Sequence, residues 1–546
     1  MRVGVTVIVG LYFAALIGWS LYNFVKSYRR GGESEESRYV GARSFGTGAL
    51  VATLVAAWAS NYTLLAAAES GYNFGISGPI WYALGVGLPL LLFVWPVNLI
   101  AKIREAMPEG VTIIEYVGSR YDPKTRLISL VVVLIASLLY IISVVLAIGI
   151  VLSSLLGISS TTAIAVGGTV LIVYTALGGF EATVRSHVYQ LAIAGLGVTV
   201  ALILTAREVG LSQFVANIPQ DSLNVLGWGP LGMLDFFLVI TAFTIASPVI
   251  WQRLFAAGDT RAATHAVWWF PLVWMPFAVG AGIMGMAATR LLPDINPSSA
   301  ATELVVNLFP SWAAILFLLG GLALIFSSGD AAINNVASIV QIDILDNYLG
   351  LSLSRRQNLY LSFALQIGLG MVGIVGALFT ESILALLVLN SAINLSLLLP
   401  LYLGLVWMGA HRTAAFWSIL LSLGVGGALI AAGQGPRANL VALLVSAAIF
   451  VGLSYLLRAR EGATGEPAEG TERTAKGVPG VVVGVAVTIA AYVALYVLAS
   501  VFAEAVLRIP AATMYPLYAY AFVGCVAMVL VLPVLVLRAD KRGDVR

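Results

Sequence analysis

Between Leu322 and Ser338 the chain reads LALIFSSGDAAINNVAS, an apolar run carrying Ser327, Ser328, Asp330, Asn334, Asn335 and Ser338. On a helix, 327, 330, 334 and 338 share one face, because positions three and four apart stack. Hydrocarbon does not accept that stripe, so it faces other helices or a water-filled cavity. Two chemistries fit. One is interhelical hydrogen bonding that only glues helices together. The other is a cation site: the paired hydroxyls of Ser327 and Ser328 are hard oxygen donors, suited to a small alkali cation and not to redox or tight transition-metal chemistry. Elsewhere the reactive residue types are sparse. His187, His265 and His411 are scattered and form no metal-binding spacing, and the single cysteine, Cys525, cannot close an intrachain disulfide. No phosphate loop or nucleophile elbow is present. A net charge of +3 gives no reason to expect a nucleic-acid partner.

The elements that must hold the stripe are membrane helices. The chain is 60% hydrophobic and 10% charged over 546 residues, with a mean hydropathy of +0.97. Spans of about 20 apolar residues recur along its length. We read fifteen. The first six are Val3–Val25, Phe45–Ser70, Ile80–Ala101, Leu127–Leu156, Thr161–Leu177 and Val188–Ala206. The next five are Leu231–Phe255, Ala266–Ala288, Trp312–Ile344, Leu359–Phe379 and Ile383–Met408. Ala415–Ala432, Leu440–Leu457, Val478–Val501 and Leu517–Leu537 complete the set. With the N-terminus outside and the C-terminus inside, 24 of the 29 Lys and Arg fall on the inner side; the other 5 are Arg2, Arg207, Arg290, Arg437 and Arg508. That is the bias the positive-inside rule expects. The stretch from Arg458 to Gly477, rich in Glu, Gly, Thr and Pro, reads as a flexible cytoplasmic linker.

Two spans are interrupted. The second carries Ala59-Ser60-Asn61-Tyr62-Thr63 at mid-membrane depth, and the seventh carries Ala246-Ser247-Pro248. Proline cannot donate its amide and breaks or kinks a helix. Each interrupted span begins a group of five, and interruptions at matching places in two halves point to a transporter binding site. Five is odd, so the second group is inserted upside down relative to the first. An unwound segment exposes carbonyls and half-helix ends that can hold a cation and a solute.

These residues resemble the sodium:solute symporter family over about Phe45 to Leu421. The matching pieces are Ala59-Ser60-Asn61, Gly178-Gly179-Phe180-Glu181-Ala182-Thr183, Trp251-Gln252-Arg253, Ser327-Ser328-Gly329-Asp330 and Met408-Gly409-Ala410-His411-Arg412. Within the family the chain looks most like the urea-active transporter branch. The loop Tyr72-Asn73-Phe74-Gly75-Ile76-Ser77-Gly78-Pro79-Ile80-Trp81-Tyr82-Ala83 and Trp251-Gln252-Arg253 carry that likeness, and the branch has fifteen spans with the N-terminus outside. The resemblance implies an all-α membrane protein with a leucine-transporter-like inverted repeat of five plus five helices. Its parts would be 1–44, an extra span and cytoplasmic loop; 45–412, the transporter core; 413–458, two further spans; 459–477, the linker; and 478–546, two last spans and a basic tail.

By position the resemblance also implies a sodium site. Its ligands would be the carbonyls of Ala59, Tyr62 and Leu324 and the hydroxyls of Ser327 and Ser328. Urea-branch members often lose one hydroxyl; both are kept here, which favours sodium over proton coupling. The aspartate that helps many members form a second sodium site is His187 here, so one sodium per cycle is expected, with His187 read as an interfacial residue rather than a proton relay. Asp330 would either lend negative potential to the ion's exit path or pair with a cytoplasmic basic residue. Glu69 and Asp235, near outer span ends, are expected to meet water.

For the solute, Asn61 and Ser247 sit in the breaks, Trp58, Phe243 and Trp251 flank them, and Asn394 follows on the eleventh span. These six are candidate contacts, against the alternatives of packing, belt residues and helix glue. No obvious Arg or Lys stands in spans two, seven or nine, which points away from a solute held by a strong salt bridge. The expectation is a multi-pass transporter of the plasma membrane, not an enzyme. It would import a small polar solute, urea or a similar nitrogenous compound, with sodium by alternating access. A sodium-coupled amino-acid or organic-acid symporter is the main alternative, and a passive channel of the same fold the next. A membrane enzyme or proton-pump subunit would carry a buried relay series that is missing, and a sensor would need an output domain.

Overall fold

A computed structural model describes residues 2–464, apart from 30–39, 41–42, 96–97, 210–219, 348, 351–353 and 434–435. The expected spans Val478–Val501 and Leu517–Leu537, Cys525 and the basic tail lie outside the described residues, as does most of the linker. Among the described residues every regular element is helical, and the sole pairing of extended backbone is a bridge between Phe45 and Ala257.

The first helix, α1, is Arg2–Arg29. The second span is broken into α2, Thr47–Trp58, and α3, Ala67–Phe74, with a π-turn at Tyr62–Ala66 before α3. Then come α4 (Ser77–Leu91), α5 (Leu99–Ala106), α6 (Ile113–Arg120), α7 (Pro123–Leu156) and α8 (Ser160–Val209). The seventh span is α9, Pro230–Ile245, and α10, Pro248–Ala256. After it follow α11 (Thr260–Leu291), the short α12 (Ala300–Leu308), α13 (Ser311–Ile339), α14 (Arg355–Ala377), α15 (Ile383–Val406), α16 (Arg412–Ala431) and α17 (Pro436–Thr464). Among the described residues ten helical segments are long and apolar enough to cross a membrane, and twelve if each bent pair counts as one span. The shorter apolar helix α4 stands at the place of the third expected span. The short helices α5, α6 and α12 lie in connections between the long spans and each bury one apolar face, Leu99, Ile100 and Ile103 in α5 for example.

Helix α8 needs a bend. At about 1.5 Å per residue, positions twelve apart on a straight helix are about 18 Å distant, yet the Tyr174 hydroxyl lies 3.0 Å from that of Ser186. The two segments on either side, Ser160–Gly178 and Ser186–Glu208, are separate candidate spans, in line with the expected fifth and sixth. The second segment packs against α13 through small residues. A Cβ on Gly197 would come 2.9 Å from the Leu316 carbonyl oxygen, and one on Gly320 would come 2.8 Å from Ala194 Cα. Small residues let membrane helices approach this closely.

The tightest backbone approach is between α3 and α11. A Cβ on Gly71 would lie 2.1 Å from the Gly282 carbonyl oxygen, and one on Gly285 would lie 1.9 Å from that of Ala68. At the other end of the two broken spans, the Phe45 carbonyl accepts from Gly258 N–H at 2.9 Å. Arg43 donates to the carbonyls of Gly110 at 3.1 Å and Phe255 at 3.0 Å. Arg104 donates to those of Leu254 and Ala257 at 2.6 and 2.9 Å. Burial, and then the charge of Arg43, lower the Arg104 pKa from its ordinary value. These guanidiniums satisfy carbonyls that the end of α10 leaves without an intrahelical donor.

Candidate ion and solute site

The break in the second span bends the chain by 60° and that in the seventh by 40°. The seventh is explained locally. Pro248 takes the first position of α10, where its missing N–H costs nothing, and Ser247 before it is extended, φ −68 and ψ 114, as a residue preceding proline prefers. The carbonyl freed at Ile245 accepts from the Trp251 indole at 2.9 Å. Arg253 donates to the Val249 carbonyl at 3.1 Å.

The second span has no proline or glycine at its break. Ala59 takes φ −72 and ψ 55, outside the helical region. The Trp58 carbonyl accepts from Thr63 Oγ1 at 2.6 Å, and Thr63 Oγ1 in turn accepts from the Trp274 indole at 3.1 Å. The Ala56 carbonyl accepts from Ser327 Oγ at 2.8 Å and the Ala57 carbonyl from Ser328 Oγ at 3.0 Å. Both hydroxyls also lie within hydrogen-bond distance of the Leu324 carbonyl, at 2.7 and 2.8 Å. Five oxygens therefore converge, fully buried, between α2 and α13. Of the expected ligand set, Ser327, Ser328 and Leu324 come together here. Ala59 and Tyr62 are buried on the same broken span, but the hydroxyls meet the carbonyls of Ala56 and Ala57, and the Tyr62 carbonyl accepts from Ala67 N–H at the end of the π-turn.

Beside these oxygens is a small cavity of about 30 Å³, space for one or two waters. Trp58, Phe243, Ser247 and Asn394 line it, as expected from sequence, together with Tyr140, Asn335 and Asn390, which sequence reading had not assigned to the solute. The rings of Trp58 and Phe243 are 5.0 Å apart. Tyr140 connects the cavity to the oxygen cluster, its hydroxyl 3.5 Å from the Ala57 carbonyl. The buried Trp58 indole N–H and the Asn335 side-chain carbonyl have no hydrogen-bond partner among the described residues. Asn394 Nδ2 is engaged along its own helix with Asn390, at 2.8 Å to Oδ1. Asn61 lies outside the lining and donates to Ser143 at 2.8 Å. Trp251 does not reach the cavity. Its ring is wholly buried against Tyr116 and Phe93, with centroids 5.1 and 6.1 Å away.

Four ionisable residues depart from their expected surroundings. His187 is not interfacial: it is fully buried, its Nδ1 2.9 Å from Thr53 Oγ1 and its Nε2 3.4 Å from Asp330 Oδ1. The bend in α8 carries it there. Asp330 thus faces a buried histidine. Arg253, counted with the inner-loop charges, is also buried, 3.3 Å from Thr53 Oγ1. Glu69 and Asp235, expected at water-facing span ends, are each only 6% exposed. In Glu69 the carboxylate accepts from Ser298 Oγ at 2.7 Å, Ser382 Oγ at 2.8 Å and Leu384 N–H at 3.1 Å.

Two broken membrane helices border one small, mostly apolar cavity, and buried hydroxyls meet the first of them; paired broken helices of this kind are a feature of transporters with discontinuous spans. Comparison places the chain further. The sequence profile of the sodium:solute symporter family matches residues 38–422, and the chain belongs to that family. It is 25% identical to a urea–proton symporter of Oryza sativa subsp. japonica over 74% of this chain and 64% of that protein, so the chain spans under two thirds of that relative's length. It is 25% identical to a sodium/pantothenate symporter of Escherichia coli (strain K12) over 77% of this chain and 88% of that protein. The structure of a Na+-coupled sialic acid symporter in a substrate-bound outward-open state superposes with a TM-score of 0.68 at 17% identity, covering 83% of this chain and 98% of that one. The leucine-transporter-like fold expected from sequence is therefore present. The family is one of sodium:solute symporters, and the aligned relatives are named as symporters rather than enzymes.

Proposed function

We propose that this protein imports a small, uncharged polar solute, urea or a similar nitrogenous compound, by sodium-coupled alternating access across the plasma membrane. The observation that carries the reading is the pair of serine hydroxyls set against the broken second span, linked through Tyr140 to a cavity with an unengaged donor, Trp58 Nε1, and acceptor, Asn335 Oδ1. A hydroxyl that coordinates a cation does so through its lone pairs, so its proton needs an acceptor of its own. The carbonyls of Ala56 and Ala57 supply that acceptor, leaving Ser327 and Ser328 free to join Leu324 and, by resemblance, the carbonyls of Ala59 and Tyr62 around one sodium. An ion held there bridges the second span to the ninth. It favours whichever state draws the two together, by differential affinity. The donor and acceptor of the cavity match an amide-like solute better than a carboxylate, and the aligned urea–proton symporter supports the same solute class. The topology we propose is fifteen spans with the N-terminus outside.

A second reading, coupling to protons, has one observation behind it: His187 and Asp330 face each other in the interior, and the rice relative is named for protons. One experiment separates the readings. Purified protein in proteoliposomes is offered labelled urea, an amino acid and an organic acid under a sodium gradient, a pH gradient or neither. Urea accumulation under the sodium gradient alone is expected. Accumulation under the pH gradient alone would replace sodium with the proton, and equal uptake without either gradient would leave a passive pathway.

A further inference from the structure

Glu69 is the buried carboxylate that the ion and solute site does not use. It stands on α3, the far half of the broken second span, and all of its recorded partners belong to other elements. Ser298 lies in the connection after α11, Ser382 is the N-cap of α15, and the Leu384 amide is in the first turn of α15. A carboxylate at a helix N-terminus meets unsatisfied N–H groups and the positive end of the helix dipole. Charge-assisted hydrogen bonds of this kind are the strong ones. The helix it grips, α15, carries Asn390 and Asn394 into the cavity. We infer that Glu69 is a positioning residue of the transport cycle: its carboxylate latches the second span to α15, and the path from that membrane face to the cavity opens when the latch releases.

This rests on alternating access in the reading above, but not on sodium or on urea, and the test reads neither. In the full chain with Cys525→Ser, the cavity residue Ser137 is replaced by cysteine as a reporter. A small impermeant thiol reagent is then applied from each membrane face in turn. With Glu69→Gln, labelling from the face at which α3 ends should rise at least about fivefold, the low end of a usual two-state coupling, while labelling from the opposite face falls. Ser298→Ala combined with Ser382→Ala, which leaves the carboxylate in place, should move both rates the same way by less. This pair decides the matter if Glu69→Gln does not fold. Unchanged rates overturn the latch. A rise from both faces also overturns it, because that is general loosening and not release of one gate.

Discussion

The two broken spans occupy matching places in the fold and are broken for different reasons. In the seventh span the cause is local: Pro248 starts a new helix, and the freed Ile245 carbonyl is closed by Trp251, in the first turn of α10. In the second span nothing in the local sequence forbids a helix. Its break is held by side chains from elsewhere, Ser327 and Ser328 on α13 and Trp274 on α11 through Thr63. A break that closes its own carbonyls is finished scaffolding. One whose carbonyls are met by side-chain hydroxyls from another helix can exchange those contacts for an ion. Under the proposed sodium coupling, the difference gives coupling to the second span and support to the seventh.

The sharpest way to break that contrast is to remove both hydroxyls. Ser327→Ala with Ser328→Ala should abolish sodium-dependent uptake in proteoliposomes while the protein still elutes as a folded species. Each single change should raise the sodium concentration needed for half-maximal uptake. Retained sodium-driven uptake in the double variant would return the stripe to a packing role. Next in size is the support side. Trp251→Ala empties a fully buried aromatic site and should cost about 3–5 kcal/mol in thermal unfolding. Trp251→Phe keeps the ring but strands the Ile245 carbonyl, at about 1–3 kcal/mol, and neither should change the sodium requirement of the protein that folds. Asn394→Ala should raise the solute KM and leave sodium dependence alone, since its side chain lines the cavity away from the serines. The smallest effect is expected for Pro248→Ala. Alanine is accepted at a first helical position, so uptake and melting temperature should stay close to those of the parent. A large loss there would mean that Pro248 holds the seventh span open alone, without help from the Trp251–Ile245 closure that the variant keeps.

Both breaks were legible, but through different signals. Pro248 announces itself, whereas Ser60, Asn61 and Thr63 were visible only as polar residues at a depth where lipid excludes them. Ser327 and Ser328 could be found because hydroxyls in an apolar run need a reason. Their partners could not, since Ala56 and Ala57 contribute only backbone oxygen, which leaves no trace in side-chain identity. Four of six solute candidates reached the cavity; Trp251 was misplaced because an aromatic beside a break reads the same whether it faces solute or caps a carbonyl. His187, Arg253 and Glu69 were taken for groups near water because span ends were drawn from hydropathy alone. A bend in one helix and the N-terminus of another brought each a partner that hydropathy cannot report.

The glycine contact between α3 and α11 bears on how such a molecule could move. With no room for even a methyl group between Gly71 and Gly282, or between Gly285 and Ala68, the two backbones mesh like the halves of a zip. The short half-helix is too closely fitted to pivot as a separate flap. Any stroke that shifts it must take along the adjoining end of Thr260–Leu291, and the prolines inside that helix, Pro271 and Pro276, mark where the rest of its length can bend away.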